Sequence, residues 1–284
     1  MRQHLFALVI TCILALPSFT QAHTSDSSAP LVSVQLWSVK EALKEDFHGT
    51  LGALADMGFD GIEFAGDYGP YANNPSELKK VLDRLGLKAS SAHVGFDALN
   101  DKNIANTLLY FKTLEVKTLY IPWDERAWDS KKVAQFTQQL TAAHHQARRF
   151  NMEIGFHNHE REFEPYRNKT FWQYIAANTP DSLPLQLDIG WVHYAKQDAI
   201  ELIKAYPQRI RSAHLKVVAK DNALSPILGN NGFAWEKIIT SLIKDGHTQW
   251  LVVEQEQYPQ GLTPMESVAA SKESLEPIIK TLAK

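Results

Sequence analysis

The feature that most constrains this chain is an alternation. Short apolar or β-branched runs trade places, eight times, with stretches of helical spacing. Residues 31–39 (L-V-S-V-Q-L-W-S-V) alternate and predict a first strand. Further strands are predicted at 61–65, 88–94, 118–123, 154–156 (the apolar run within 153–164), 184–189, 211–217 and 250–256. Helical spacing fills 46–57, 74–85, 103–114, 130–150, 170–178, 198–205, 235–244 and 264–282. Asn74-Pro75-Ser76 reads as a helix start and Ser130 as a cap, while Gly58, Gly86 and Gly246 read as helix stops. Strict alternation calls for parallel strands, because each parallel connection needs a crossover. Units of about 32 residues suit a βαβ repeat, and eight of them close into a (β/α)8 TIM barrel. The rival, an open doubly wound sheet, wants a glycine-rich first turn, and Val39-Lys40-Glu41 is not one. No domain boundary interrupts residues 31–284, so a single domain is expected.

The opening residues have a different character. Met1-Arg2-Gln3-His4 is a short basic start, residues 5–16 are mostly apolar, Pro17 breaks the run, and Thr20-Gln21-Ala22 offers small residues for cleavage. This is the form of a secretory signal peptide at 1–22, with a flexible lead-in at 23–30. An uncleaved anchor is the other reading, but the run is short for a membrane span. Secretion across the inner membrane, into the periplasm, is expected, with no membrane attachment after signal removal. Cys12 is the only cysteine, so the mature chain would hold neither disulfide nor thiol chemistry. A formal net charge of -3 gives no support for nucleic-acid binding, which wants a basic face.

In such a barrel, polar residues at the C-terminal ends of strands serve function rather than stability. They are Gln35, Glu63, His93, Trp123, His157, His159, Asp188, His214, Lys216 and Glu254. Most follow apolar residues, and buried carboxylates are costly unless paired or bound to a cation. A divalent ion amid Glu63, Asp188, Glu254, His157 and His214 would meet that cost. Plainer roles exist for each. Glu63 could pair with Lys88, His93 could be a core histidine, and Asp188 could cap a turn. His144 and His145 lie mid-helix without an obvious partner and are expected at the surface. His193 could go either way. Glu256 shares a face with Glu254 and reads as an outer neighbour or solvated.

Several pieces together resemble the sugar phosphate isomerase/epimerase family of xylose-isomerase-like barrels. They are V-Q-L-W-S-V at 34–39, G-F-D-G-I-E-F at 58–64, G-F-H-N-H-E-R-E-F at 155–163, L-D-I-G-W at 187–191 and A-H-L-K at 213–216. G-N-N-G-F-A-W at 229–235, W-L-V-V-E-Q-E at 250–256 and E-S-V-A-A-S at 266–271 complete the set. Single pieces are weakly specific; their order and spacing are specific.

The resemblance implies a divalent metal at the barrel mouth, held at positions that become His157, Asp188, His214 and Glu254. Two departures matter. His157 stands where many relatives have Glu, and Trp191 where many have His. The first breaks the pair of acids that exchange a sugar proton on opposite faces in the epimerases, and leaves His159 or Glu254 as base. Two nitrogens with two carboxylates favour zinc, manganese or cobalt over magnesium. Lys216 is expected to hold an enediolate; Gln35, Glu63, His93, Trp123 and Trp191 are expected to bind substrate, with Trp37 and Tyr258 as further apolar faces. The implied activity is a metal-dependent sugar isomerase or epimerase. The alternatives are a 3-keto-glycoside lyase using the same C–H abstraction and a non-catalytic sugar-binding barrel. No phosphate cradle of P-loop spacing is present, so a free sugar or glycoside is expected as the partner molecule. A homo-oligomer is common for such barrels.

Overall fold

The computed structural model describes residues 30–218, 224–229 and 232–282. The expected signal peptide at 1–22 and most of the lead-in lie outside the described residues. Eight parallel strands form one closed barrel: β1 (Leu31–Gln35), β2 (Gly61–Phe64), β3 (Lys88–His93), β4 (Thr118–Ile121), β5 (Glu153–His157), β6 (Leu185–Asp188), β7 (Ser212–Leu215) and β8 (Trp250–Val253). Each neighbours the next in sequence, and β8 closes on β1 with Leu31 opposite Trp250 and Val34 opposite Val253. This is the (β/α)8 barrel that the alternation predicts, in a single domain.

Alternate residues of a strand face opposite sides, and here the two sides differ in chemistry. Val32, Val34, Ile62, Phe64, Leu251 and Val253 belong to the hydrophobic cluster beneath the helices. Their neighbours Ser33, Gln35, Glu63, Gln186, Ser212 and His214 are buried polar residues. Branched apolar residues ordinarily dominate a barrel interior; here hydrogen-bonding groups take many of those places, and they hydrogen-bond to one another. A register shift between Ile62 and Glu63 against β3 brings Ser91 opposite Glu63, and bulges of this kind re-aim side chains beside active sites. Gly155 makes room for another interior group. A Cβ there would sit 2.7 Å from Cε1 of Tyr120 and 2.4 Å from the Pro184 carbonyl oxygen.

Helix ends follow the local chemistry. Asn74 caps Pro75–Leu85 by accepting from the Glu77 backbone N–H, and Gly86 ends it at φ 69°. Thr170 and Gln173 form a reciprocal capping box on Phe171–Ala177. The fourth long helix differs from expectation: it runs Val133–Arg148, Lys132 precedes it, and no side chain caps it, so Ser130 is not its cap. Asp129 forms a turn there instead, its Oδ1 accepting from the Lys131 backbone N–H. His144 also differs. It is fully buried, with Nδ1 2.9 Å from the Ile154 carbonyl oxygen and Nε2 3.1 Å from Ser182 Oγ. Two hydrogen bonds make burial of its imidazole affordable, and they tie the helix to β5. Among the described residues, no helix is long and apolar enough to cross a membrane.

Candidate active site

The strand ends deliver their polar groups into one buried cluster. Glu63 on β2 is its hub. Its Oε1 accepts from Gln35 Nε2 at 2.6 Å and lies 2.5 Å from His214 Nε2. Its Oε2 accepts from Gln186 Nε2 at 2.6 Å and from the Ser91 hydroxyl. His93 Nε2 stands 3.3 Å away. Lys88, the cation considered for Glu63 in the sequence, is exposed and not a partner. Burial opposes ionisation of Glu63, but His93 and His214 with the hydrogen bonds outweigh it and hold its pKa at about 2.

His214 on β7 lies between two carboxylates, with Nδ1 2.8 Å from Glu254 Oε2 and Nε2 against Glu63. Burial disfavours its charge, yet these two acids raise its pKa to about 10. Lys216, buried at the end of the same strand, places Nζ 2.9 Å from Glu254 Oε2 and 3.0 Å from Glu256 Oε2. Its pKa is raised, because Asp188, Glu254 and Glu256 override the burial that opposes it. Glu254 in turn is held well below the carboxylate range by Lys216 and His214 against its own burial. Glu256 is exposed and touches the cluster through Lys216.

Asp188 divides its two oxygens. Oδ1 accepts from the Trp191 backbone N–H at 2.9 Å and so caps the short helix Ile189–Tyr194. The capping role read as the plain alternative is therefore real, but it uses one oxygen. Oδ2 is buried without a hydrogen-bond partner; Lys216 Nζ lies 3.1 Å from it out of hydrogen-bond alignment. Burial raises the Asp188 pKa to about 6, with Lys216 pulling against it.

A divalent ion fits this arrangement by taking the place of the proton that His214 Nδ1 shares with Glu254, since a ligating imidazole must be neutral. One donor atom each from Asp188, His214 and Glu254 lies within 4.8 Å of the others, and His93, His157 and His214 form a second such triple. His157 thus stands with the imidazoles, its Nε2 3.9 Å from the unpartnered Asp188 Oδ2. The mixture of nitrogen and carboxylate donors suits a borderline divalent metal.

Above the cluster, His159 lies between two indoles, 4.9 Å from the Trp123 ring and 5.5 Å from Trp191. Its Nδ1 is buried without a partner. Burial, then Lys216, lowers its pKa to about 3. Trp123 is 50% exposed and Trp37 45%, both in segments that follow barrel strands. Tyr258 is pinned beside Trp37's segment, its hydroxyl donating to the Ser38 carbonyl at 2.8 Å. His193 is exposed against Phe233, away from the cluster.

Four contributors were not singled out in the sequence. Gln186 hydrogen-bonds to Glu63 and Ser212 and meets His93 and His157. Ser91 donates to Glu63. Asn158 Oδ1 accepts from the Asp188 backbone N–H at 2.9 Å, stapling the end of β5 to β6. Glu162 is buried, its Oε2 accepting from the His159 backbone N–H at 2.9 Å, and burial pushes its pKa to about 8. Gln186 had one available signal: two residues before Asp188, it shares that strand's inner face.

A closed parallel barrel with this set of acids and imidazoles at its C-terminal mouth defines a class of mouth-active barrel enzymes. Residues 51–280 match the Xylose isomerase-like TIM barrel family, and the chain belongs to that family. It is 20% identical over 272 residues to the inosose dehydratase of Geobacillus kaustophilus (strain HTA426), covering 82% of this chain and 87% of that protein. A crystal structure of a sugar phosphate isomerase/epimerase from Parabacteroides distasonis ATCC 8503 superposes with a TM-score of 0.75 at 21% identity, covering 89% of this chain and 98% of that one. The structure of L-ribulose 3-epimerase gives a TM-score of 0.65 at 14% identity, over 89% and 95% of the two chains. At these identities the structural likenesses establish the fold.

Proposed function

We propose that the protein is a lyase acting on a keto-sugar or keto-glycoside, removing a proton beside a carbonyl and expelling an oxygen substituent one carbon further on. The carrying observation is that, apart from the groups that would hold a cation, His159 is the imidazole left free to act as base. Epimerisation by proton exchange needs acid–base groups on opposite faces of the sugar. Glu254 is engaged by His214 and Lys216, and His157 stands where a second acid would serve. Outside the groups that would hold a cation, His159 has a buried ring nitrogen, Nδ1, without a hydrogen-bond partner, and its ring lies between Trp123 and Trp191. The inosose dehydratase relatives, which by name remove water from a keto-cyclitol, favour the same reading.

In this mechanism the C–H proton passes to a His159 ring nitrogen, and its electron pair moves onto the carbonyl oxygen to form an enolate. The Lys216 ammonium stabilises that charge. The pair then returns, the β C–O bond breaks, and His159 gives its proton to the departing oxygen. The net change is loss of water or an alcohol, with no redox step. The imidazole is neutral before the opening step, and the enolate charge that forms beside it offsets the burial and the Lys216 charge that hold its pKa at about 3. Asp188, His214, Glu254 and His157 would hold a divalent cation, which when bound supplies Lewis-acid polarisation of the substrate oxygens. Trp123, Trp191, Trp37 and Tyr258 give flat apolar faces for sugar rings, while Gln35, Glu63 and His93 set the floor that orients the cluster. Export through residues 1–22 would place the substrate outside the cytoplasm, where free glycosides rather than sugar phosphates are met.

The test is turnover of keto-glycosides and keto-cyclitols in deuterated water, beside their unoxidised counterparts. Release of alcohol or water from the ketone alone is the expected result. Deuterium in a recovered intact sugar, with inverted configuration or a shifted carbonyl, would instead establish the epimerase or isomerase. Sugar binding with neither outcome would leave a binding barrel.

A further inference from the structure

Gln186 meets four partners with the four hydrogen-bonding positions of its amide. The nitrogen lies 2.6 Å from Glu63 Oε2 and 3.0 Å from Ser212 Oγ; the oxygen lies 2.7 Å from His93 Nε2 and 3.0 Å from His157 Nδ1. An ionised carboxylate only accepts. Glu63 therefore fixes which end of the amide is nitrogen, and the oxygen must face the two imidazoles. That oxygen has no proton to give, so each imidazole nitrogen facing it must carry one.

We infer that Gln186 is the positioning residue that locks His157 as the Nδ1–H tautomer and His93 as the Nε2–H tautomer, so that His157 presents a bare Nε2 toward Asp188. The Nδ1 proton of His157 is directed at the Gln186 oxygen, and the other ring nitrogen makes no hydrogen bond among the described residues. That nitrogen is Nε2, which lies 3.9 Å from Asp188 Oδ2, a buried oxygen with no hydrogen bond and with Lys216 Nζ 3.1 Å away. Nε2 and Oδ2 face each other across that gap and would form half of a cation site. Gln186 builds it by denying His157 the tautomer that would donate to Asp188. The chain of control starts at Glu63, passes through the amide, and ends at a nitrogen that Glu63 does not touch.

The lock holds whatever reaction follows, so it is independent of the lyase reading. The experiment is long-range nitrogen–proton correlation on histidine-labelled, metal-free protein, with His157 assigned by comparison with His157→Gln. Wild type should show the proton on Nδ1 and a lone pair on Nε2 of His157. Gln186→Met, similar in size but unable to hydrogen-bond at either end, should lose that single-tautomer pattern. Its zinc affinity, measured with the metal alone, should fall about 10- to 100-fold, the usual effect of removing an outer partner of a metal-binding histidine. A wild-type proton on Nε2, or a Gln186→Met protein with unchanged tautomer and zinc affinity, would overturn the assignment. If Gln186→Met does not fold, the wild-type spectrum alone decides. A wild type that binds no zinc but shows Nδ1–H still supports the lock and counts against the metal.

Discussion

Glu63 Oε1 and His214 Nε2 lie 2.5 Å apart although 151 residues separate them in the chain, joining β2 to β7 through the barrel interior. Removing one member of a buried charged pair strands the other. Glu63→Gln should lower stability by about 3 kcal/mol, the low end of such losses, because Glu254 still faces His214. Urea unfolding measures it, and a loss below about 1 kcal/mol would mean that the pair is not held as described.

Metal binding should depend on the mouth acids and imidazoles together. After reconstitution, elemental analysis should find near-stoichiometric zinc, manganese or cobalt in the wild type and little in His214→Ala or Asp188→Asn. His214→Ala with full occupancy would remove His214 from the ligand set.

In the proposed mechanism His159 moves a proton without holding the cation. His159→Gln should therefore lower turnover about 10²- to 10⁴-fold, the usual range for a lost acid–base group, with metal content unchanged. Full activity in this variant would shift the base to another residue.

His144 makes stability depend on pH. Burial lowers its pKa in the folded protein below the ordinary imidazole value of about 6.5. Its neutral form is required by the fold, so this contribution is complete above about pH 6.5 and is lost as the pH falls below it, where the unfolded chain takes up the proton more readily. The thermal midpoint should fall between pH 7 and pH 5, and His144→Gln should fall less over the same interval. An equal drop in both proteins would assign the effect elsewhere.

Much of this was legible in the sequence, and the rest was hidden for a physical reason. The eight strands and their helices followed from periodicity and from glycine and proline punctuation, and the cluster's main residues from their places at strand ends. β3 shows the limit. Lys-Ala-Ser-Ser-Ala-His has little hydrophobic pattern, because its inner side serves Glu63 and Gln186 rather than an apolar core. Gln186 and Glu63 meet at a separation of 123 residues, and no local rule reports such a pairing. His144 was misplaced for the same reason: its partner, the Ile154 carbonyl, lies on the next strand, out of view of helical spacing. Ser130 failed because Asp129 turns the chain first.

The polar interior also governs how the chain reaches its native state. His214 meets Glu63 from β2 and Glu254 from the end of β8, so its two neutralising partners straddle the seam where β8 closes on β1. A barrel still lacking its last strand would bury an incompletely compensated charge. Half-built forms are therefore penalised, and closure rewards all strands at once. The same residues that equip the mouth for chemistry make folding late, long-range and cooperative.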